Sequence, residues 1–307
     1  MITYNAIGQN KRKTVLIIGL FLIVVTALGY VFGRAYGQPG LVGFAVVFAS
    51  VSALISYYFS DSITLAMSRA RQIDRKDSPE LFRAVENLTI AAGLPLPRIY
   101  IIEDSAINAF ATGRNPKHAV VCVTTGALQR LDKTELEGVI AHELSHVGNY
   151  DILVMTLVVV LVGTITLLGD WFLRASFFGG HRKRDSEEGG NNQIFMIVGL
   201  VLAVLSPIIA TLMQLAVSRQ REYLADASGA LITRYPEGLA KALEKIAQDQ
   251  EPLEVANKAT AHMYIANPFH LDSPQASRGK TLSWVAGLFN THPPLTDRIK
   301  RLREMNL

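Results

Sequence analysis

The chain has 307 residues, of which 50% are hydrophobic and only 18% are charged, and its mean hydropathy of +0.25 is too apolar for an ordinary soluble domain of that length. The net charge is +4 at pH 7, but the basic residues gather beside apolar runs, so a lipid bilayer is the expected partner and nucleic acid is not. The single cysteine, Cys122, excludes an intramolecular disulfide and a CxxC motif, and it favours a folded part that faces the reducing cytosol.

Two long apolar runs lie near the start of the chain. Residues 14–33 carry no charge and are long enough to cross a hydrocarbon layer of about 30 Å as a helix. A secretory signal is the alternative, but the apolar centre of a signal spans only about 7 to 15 residues. A second apolar run, 39–60, also follows almost at once. The sequence therefore predicts an uncleaved transmembrane hairpin over residues 1–60.

Loop charges predict the orientation of this hairpin. Lys11 to Lys13 precede the first run and Arg69 to Lys76 follow the second, whereas the turn between the runs holds only Arg34. Both flanks of the hairpin are therefore predicted to be cytoplasmic, in a multi-pass protein of the cell (inner or plasma) membrane whose catalytic domain faces the cytoplasm. A predicted loop at 174–192 disagrees, because it would lie outside and yet carries four basic residues.

The polar region 61–151 has the pattern of a folded domain and is predicted to be the first part of a catalytic domain. Ser78 and Pro79, followed by apolar residues at helical spacing, predict a helix that ends at Gly93. Short β-strands are predicted at 98–103, 107–113 and 118–125. The predicted fold class is mainly α with a small β-sheet, combined with integral membrane helices.

A second pair of apolar runs follows at 152–169 and 194–217. Asp170 comes just after the first of them and Pro207 interrupts the second, so either can be a buried or partly inserted helix instead of a full span. We expect residues 152–217 to form a second apolar hairpin, in the membrane or associated with it.

The last segment, 218–307, is predicted to complete the catalytic domain. A helix is expected at 236–248, followed by a loop-like stretch at 267–280. A last helix is expected after His292 and the two prolines that follow it.

His142 and His146 belong to an HELSH motif within a predicted helix, whose start is expected at a capping box formed by Thr134 and Glu137. Histidines four apart share one helix face, so both imidazoles can bind one tetrahedral metal at about 2.0 Å. Glu143 is displaced around the helix, where it cannot easily be a ligand but can take a proton from water. The alternative is that two surface histidines fell at this spacing by chance.

The third ligand is expected after the last apolar run, where Glu222 and Asp226 share one helix face. One carboxylate can bind the metal while the other accepts a hydrogen bond from a ligand histidine. Such a pair is, by itself, more often a solvated helix edge. A hairpin between HELSH and Glu222 would, however, return the chain to the same membrane face. Mixed nitrogen and oxygen donors favour zinc but also accept cobalt or manganese.

Together these motifs resemble the HtpX family of heat-shock membrane zinc proteases, within the superfamily that includes the CAAX prenyl endoproteases. The resemblance extends over nearly the whole chain. It comprises INAFATG at 107–113, TTGAL at 124–128, AHELSH at 141–146 with Asn149 and Asp151, SRQREYLAD at 218–226, and THPPL at 291–295.

The resemblance implies a zincin-like (gluzincin) catalytic domain with one zinc ion per chain. The metal ligands would be His142, His146 and Glu222. Glu143 would be the general base, and Asp226 would support the ligands.

The resemblance also implies residues that contact the substrate. The strand from Asn108 to Ala111 would pair with an extended substrate backbone, which makes the choice of substrate broad. His292 and Arg298 would approach the substrate carbonyl or the oxyanion, although His292 before two prolines is also a plausible first residue of a helix.

The favoured function is an endopeptidase that cuts misfolded or damaged membrane proteins at the cytoplasmic face. One alternative is maturation of prenylated CaaX tails, but four candidate spans and a modest polar domain look unlike the large helical chamber of those enzymes. A second alternative is a membrane scaffold with a structural metal site. Structural zinc sites usually have four protein ligands, whereas this set offers three.

Overall fold

The computed structural model describes residues 4–35, 37–179, 219–249, 251–256, 260–266 and 293–305. Within these ranges the chain is mostly helical and contains one small mixed sheet. Three long apolar helices pack together, and the remaining elements form a polar domain that carries the HELSH motif. The predicted fold class is thereby confirmed.

The long apolar helices are α1 (Tyr4–Ala35), α2 (Gly40–Met67) and α6 (Asp151–Gly179). Each contains a stretch that is long and apolar enough to cross a membrane. Side chains of α1 such as Phe21 pack against Val158 and Leu161 of α6 in a shared buried cluster. The apolar run at 194–217 lies outside the described residues.

Helix α6 is longer than the sequence predicts. It continues through Asp170 as far as Gly179, so residues 174–179, which were expected in a loop, are helical. One charged residue does not end a helix, because its side chain leaves the backbone hydrogen bonds intact, and the residues after Asp170 contain no glycine or proline before Gly179.

The sheet has the strand order β1-β2-β4-β3, with β1 at Arg71–Gln72, β2 at Arg98–Ile102, β3 at Ala109–Thr112 and β4 at Val120–Thr124. Strands β2 and β4 are parallel, and the other two pairs are antiparallel. The three predicted strands are present. Strand β1 was not predicted, because two residues show no alternation. Strand β3 lies at an edge of the sheet, with Ala111 opposite Val121.

Helix α3 (Pro79–Ala92) follows Ser78 and ends at Gly93, which has a φ of +67°, as the sequence predicts. The Ser78 side chain makes no capping hydrogen bond. The short helix α4 (Thr125–Arg130) then leads from β4 toward α5 (Lys133–Gly148), which carries HELSH.

The predicted capping box of α5 is wrong by two residues. The Asp132 side chain accepts a hydrogen bond from the Glu135 backbone N–H at 2.9 Å, and the Glu135 carboxylate accepts one from the Asp132 N–H at 2.7 Å. The Thr134 hydroxyl donates to Asp132 instead, at 2.7 Å. Asp132 is the N-cap because it directly precedes the first residue of α5 and its carboxylate accepts the capping hydrogen bond.

Helices α7 (Arg219–Thr233), α8 (Pro236–Gln248) and α9 (Leu295–Arg303) complete the described polar domain. Helix α5 lies at its centre and packs against α3, the sheet, α7 and α8. The buried core includes Leu81, Val85, Val121, Ile140, Leu144, Leu239 and Leu243.

Candidate metal centre

Three side chains from two helices converge on one point in the polar domain. The Nε2 atoms of His142 and His146 are 3.2 Å apart. The carboxylate of Glu222 approaches these two nitrogens at 3.8 Å and 3.5 Å, respectively. Four ligands placed tetrahedrally about 2.0–2.1 Å from a zinc ion are about 3.3–3.4 Å from one another. The nitrogen pair and the shorter carboxylate contact are close to this spacing, while the 3.8 Å contact belongs to the other oxygen of Glu222. One donor atom from each of the three buried side chains lies within 4.8 Å of the others.

Close contact between α5 and α7 brings these side chains together. Gly229 of α7 lies against the α5 backbone, where an added Cβ would be 3.0 Å from the backbone nitrogen of His142. Asp226 lies one turn before Gly229 and Glu222 lies two turns before it, so both face the same helix. Both carboxylates consequently point toward the two histidines.

The far nitrogen of each imidazole is held by a carboxylate. His142 Nδ1 lies 2.9 Å from Asp226 Oδ1, and His146 Nδ1 lies 3.0 Å from Asp151 Oδ2. A proton on each Nδ1 donates to its carboxylate, which leaves both Nε2 lone pairs directed toward the shared point. This is the tautomer that a metal ligand needs.

Asp151 belongs to the motifs that carry the family resemblance, but the sequence alone assigns it no role. It is the first residue of α6, just after Tyr150, whose φ of +62° turns the chain between α5 and α6. A carboxylate directly after this turn can reach back to the end of the preceding helix. Its spacing of five from His146 is not a repeat of either helix and therefore gave no clear sign in the sequence.

Arg298 of α9 lies next to Asp226 and is completely buried. It donates to both oxygens of Asp226, at 2.9 Å and 2.7 Å, and to the backbone carbonyl of Ile265. One of its nitrogens is also 3.8 Å from Glu222. Burial opposes its charge, but the Asp226 carboxylate more than offsets burial and raises the pKa of Arg298. The structure thus brings Arg298 to the supporting carboxylate, while His292 lies outside the described residues.

The site is rich in negative charge. Burial lowers the pKa of His146, but the hydrogen bond to Asp151 and the charge of Glu222 more than offset it and raise that pKa to about 9. The pKa of His142 moves the other way, because burial lowers it more than the hydrogen bond to Asp226 raises it. The carboxylates beside His146 supply negative charge that a bound divalent cation would neutralise.

Glu143 directly follows His142 on α5 and is not among the three side chains of this cluster. Burial raises its pKa to about 7, against the opposing effect of His146. Its carboxylate accepts a hydrogen bond from the backbone N–H of Ala111 on the edge strand β3. The carboxylate is therefore located between the ligand group and the edge of the sheet.

The predicted substrate strand is partly covered. Ile265 donates its backbone N–H to the carbonyl of Ala109 at 3.1 Å. The Asn108 side chain is buried and donates to the carbonyl of Ala266 at 3.4 Å. The edge of β3 at Asn108 and Ala109 is thus already engaged by the chain itself, whereas Ala111 is the residue next to Glu143.

The chain is similar to known proteins over most of its length. The model of Peptidase family M48 matches residues 75–306. The chain is 45% identical over 302 residues to the "Protease HtpX homolog" of Tropheryma whipplei, covering 98% of both chains. It is 47% identical over 305 residues to the "Protease HtpX homolog" of Dictyoglomus thermophilum, covering 98% of this chain and 94% of the other. Among solved structures, that of S. mikatae Ste24p is similar at a TM-score of 0.47 and 19% identity, over 98% of this chain and 67% of that chain.

Proposed function

The chain belongs to peptidase family M48, together with the HtpX protease homologues that it resembles, and from this membership we propose that it cuts misfolded or damaged membrane proteins at the cytoplasmic face. It is a metalloprotease and therefore a hydrolase. Its apolar helices make it a membrane protein.

The observation that supports the mechanism is the convergence of His142, His146 and Glu222, whose donor atoms lie within 4.8 Å of one another. We propose that these three side chains would hold one zinc ion. When bound, zinc supplies Lewis acidity, which lowers the pKa of water toward about 7 and polarises a peptide carbonyl. Asp226 and Asp151 keep the two imidazoles in the required orientation, and Arg298 keeps Asp226 in place.

Glu143 is proposed to move the proton. It takes a proton from the attacking water and then delivers it to the amine that leaves when the peptide bond breaks. Its position supports this role, because its carboxylate lies beside the ligand group but is not one of the three donors. The hydrogen bond from Ala111 fixes that carboxylate next to β3.

An extended substrate backbone is proposed to lie along β3 on the side of Ala111. The sheet ends at this strand, although the four residues of β3 are buried. Because Ile265 already binds Ala109 and the Ala111 N–H already donates to Glu143, we limit the proposed pairing to the Ala111 carbonyl. Main-chain pairing does not depend on side-chain identity and gives a broad choice of substrate.

The cytoplasmic orientation rests on the basic residues at both ends of the N-terminal hairpin. The end of α2 is tied to the sheet by Arg98, which donates to Asp61 at 2.6 Å. The polar domain therefore lies at the end of the hairpin that carries the basic flanks. We propose a membrane hairpin at 1–60, catalytic parts at 61–151 and 218–307, and a second apolar hairpin at 152–217.

The proposed function is tested with the full chain purified in detergent. Zinc content is measured beside hydrolysis of an unfolded membrane-protein fragment, with and without a chelator. We expect about one zinc per chain and cleavage that stops when the metal is removed and returns when zinc is restored. A farnesylated CaaX peptide serves as the competing substrate, and its exclusive cleavage would contradict the proposed substrate class.

A further inference from the structure

Asn10, on the first membrane helix, is buried against the start of α6. Its Nδ2 atom donates to Asp151 Oδ1 at 2.7 Å and to the backbone carbonyl of Asn149 at 2.9 Å. Its Oδ1 atom accepts from Arg221 of α7 at 3.3 Å. One amide thus joins α1, α6 and α7 near the membrane end of the polar domain.

Both polar atoms of the Asn10 amide have hydrogen-bond partners, and these partners determine the orientation of the amide. Both N–H groups face acceptors, a carboxylate and a carbonyl, and the oxygen faces a guanidinium, which can only donate. An isosteric aspartate would place a carboxylate against two acceptors. Burying a polar side chain costs free energy unless it is paired. Asn10, in the polar first turns of α1, is buried and has a partner for each of its polar groups.

The same carboxylate connects Asn10 to the proposed metal centre. Asp151 Oδ1 is held by Asn10 and, at 3.2 Å, by Arg221, while Asp151 Oδ2 lies 3.0 Å from His146 Nδ1. One oxygen is therefore fixed by side chains of α1 and α7, and the other orients the imidazole. Without the Asn10 amide, the Asp151 carboxylate loses a short hydrogen bond that sets its rotation.

We propose that Asn10 is a positioning residue for the metal ligand His146, acting through Asp151, so that the first membrane helix is part of the metal centre. The inference rests on the proposed function, because it takes His146 as a zinc ligand. Partners that orient a ligand histidine typically change metal affinity by about 10- to 100-fold when they are removed. We expect a loss of that size at Asn10, although this residue lies two hydrogen bonds away from the metal.

The test measures zinc affinity by chelator competition on the full chain in detergent. All variants carry Glu143→Gln, so that none can cleave itself while the ligands stay intact. Asn10→Asp is expected to weaken zinc binding roughly 10- to 100-fold. The control is Gln9→Glu, the same chemical change at the exposed neighbouring position, which should leave the affinity unchanged. Asn10→Ala removes the donors without adding charge and serves if the aspartate variant does not fold.

A second readout separates positioning from general stability. The visible spectrum of the cobalt-substituted protein reports ligand geometry, and it should change in Asn10→Asp but not in Gln9→Glu. The exchange pair Asn10→Asp with Asp151→Asn restores a donor opposite an acceptor and should recover part of the affinity. Equal zinc affinity and equal cobalt spectra in folded Asn10→Asp and its control would overturn this inference alone. If the protein that carries Glu143→Gln alone binds no zinc, the proposed metal centre is overturned as well.

Discussion

Gly229 of α7 lies in direct contact with the backbone of His142. A Cβ added at Gly229 would be 3.0 Å from the His142 nitrogen and 3.2 Å from its Cα. These are backbone atoms in the middle of a buried helix, which cannot rotate away as a side chain can. Because glycine has only a hydrogen as its side chain, Gly229 allows α7, which carries Glu222, to lie this close to α5, which carries the two histidines.

Replacing Gly229 with valine is expected to push α7 away from α5. The branched side chain needs space that the α5 backbone occupies, and overpacking of this kind costs about 1–3 kcal/mol of unfolding free energy. Glu222 would move with α7, so zinc affinity should fall as well. Both effects are measured on the full chain, by thermal unfolding and by chelator competition.

The matched control for this prediction is Gly163→Val in α6. Gly163 is also helical, but an added Cβ there meets nothing within 4 Å. The two variants share the change in helix propensity and differ in the available space. Unchanged zinc affinity in Gly229→Val, at the level of the control, would show that the contact does not set the ligand distance.

Replacing Glu143 with glutamine should abolish cleavage while the zinc content stays near one per chain. The amide keeps the size of the side chain but cannot accept the proton, and general-base catalysis contributes about 10²- to 10⁴-fold in rate. The measurements are kcat/KM on an unfolded protein substrate and metal content of the same sample. Glu137→Gln, on the same helix outside the ligand group, is the control. Wild-type turnover in Glu143→Gln would refute the assignment of the base.

Arg298→Lys should weaken the metal centre although the charge is retained. An ammonium cannot form the two-pronged contact with Asp226 and also reach the carbonyl of Ile265. Asp226 then loses a fixed position and orients His142 less well, so we expect a fall in zinc affinity of roughly tenfold or more.

The control for Arg298→Lys is Arg303→Lys on the same helix. Arg303 also contacts a carboxylate with two nitrogens, at Glu237, but it is half-exposed. Exposed ion pairs contribute only about 0–1 kcal/mol, so this variant should bind zinc normally. Equal zinc affinity in the two variants would mean that Arg298 acts on stability alone.

The local parts of the site could be predicted from the sequence, because a helix relates residues four apart in a fixed way. The spacing of His142 and His146 placed both on one face, and the spacing of Glu222 and Asp226 did the same on a second helix. The structure brings these two faces together at ligand distances.

The long-range parts could not be predicted in this way. Asn10 and Asp151 are 141 positions apart and meet only because α1 packs beside α6. Arg298 meets Asp226 because α9 packs against α7, and nothing in the spacing of either residue indicates the pair. The covering of Ala109 by Ile265 depends on a loop path that has no periodicity. These relations follow from packing, which single-sequence patterns do not encode.

The start of the HELSH helix provides the last prediction, because two interleaved motifs, Asp132 with Glu135 and Thr134 with Glu137, compete for it. In the structure Asp132 is the cap, so Asp132→Ala should cost about 0.5–2 kcal/mol of unfolding free energy, and Thr134→Ala should cost less. The hydrogen bond from the Glu135 N–H, followed by that from the Thr134 hydroxyl, lowers the pKa of Asp132. A lowered folded-state pKa means that this stabilisation is present above the unfolded-state pKa and is lost as the pH falls through the folded-state value. Thermal unfolding of both variants from pH 7 down to pH 3 is the measurement. The difference between wild type and Asp132→Ala should shrink toward acid pH, and a larger loss in Thr134→Ala would place the cap at the later residue.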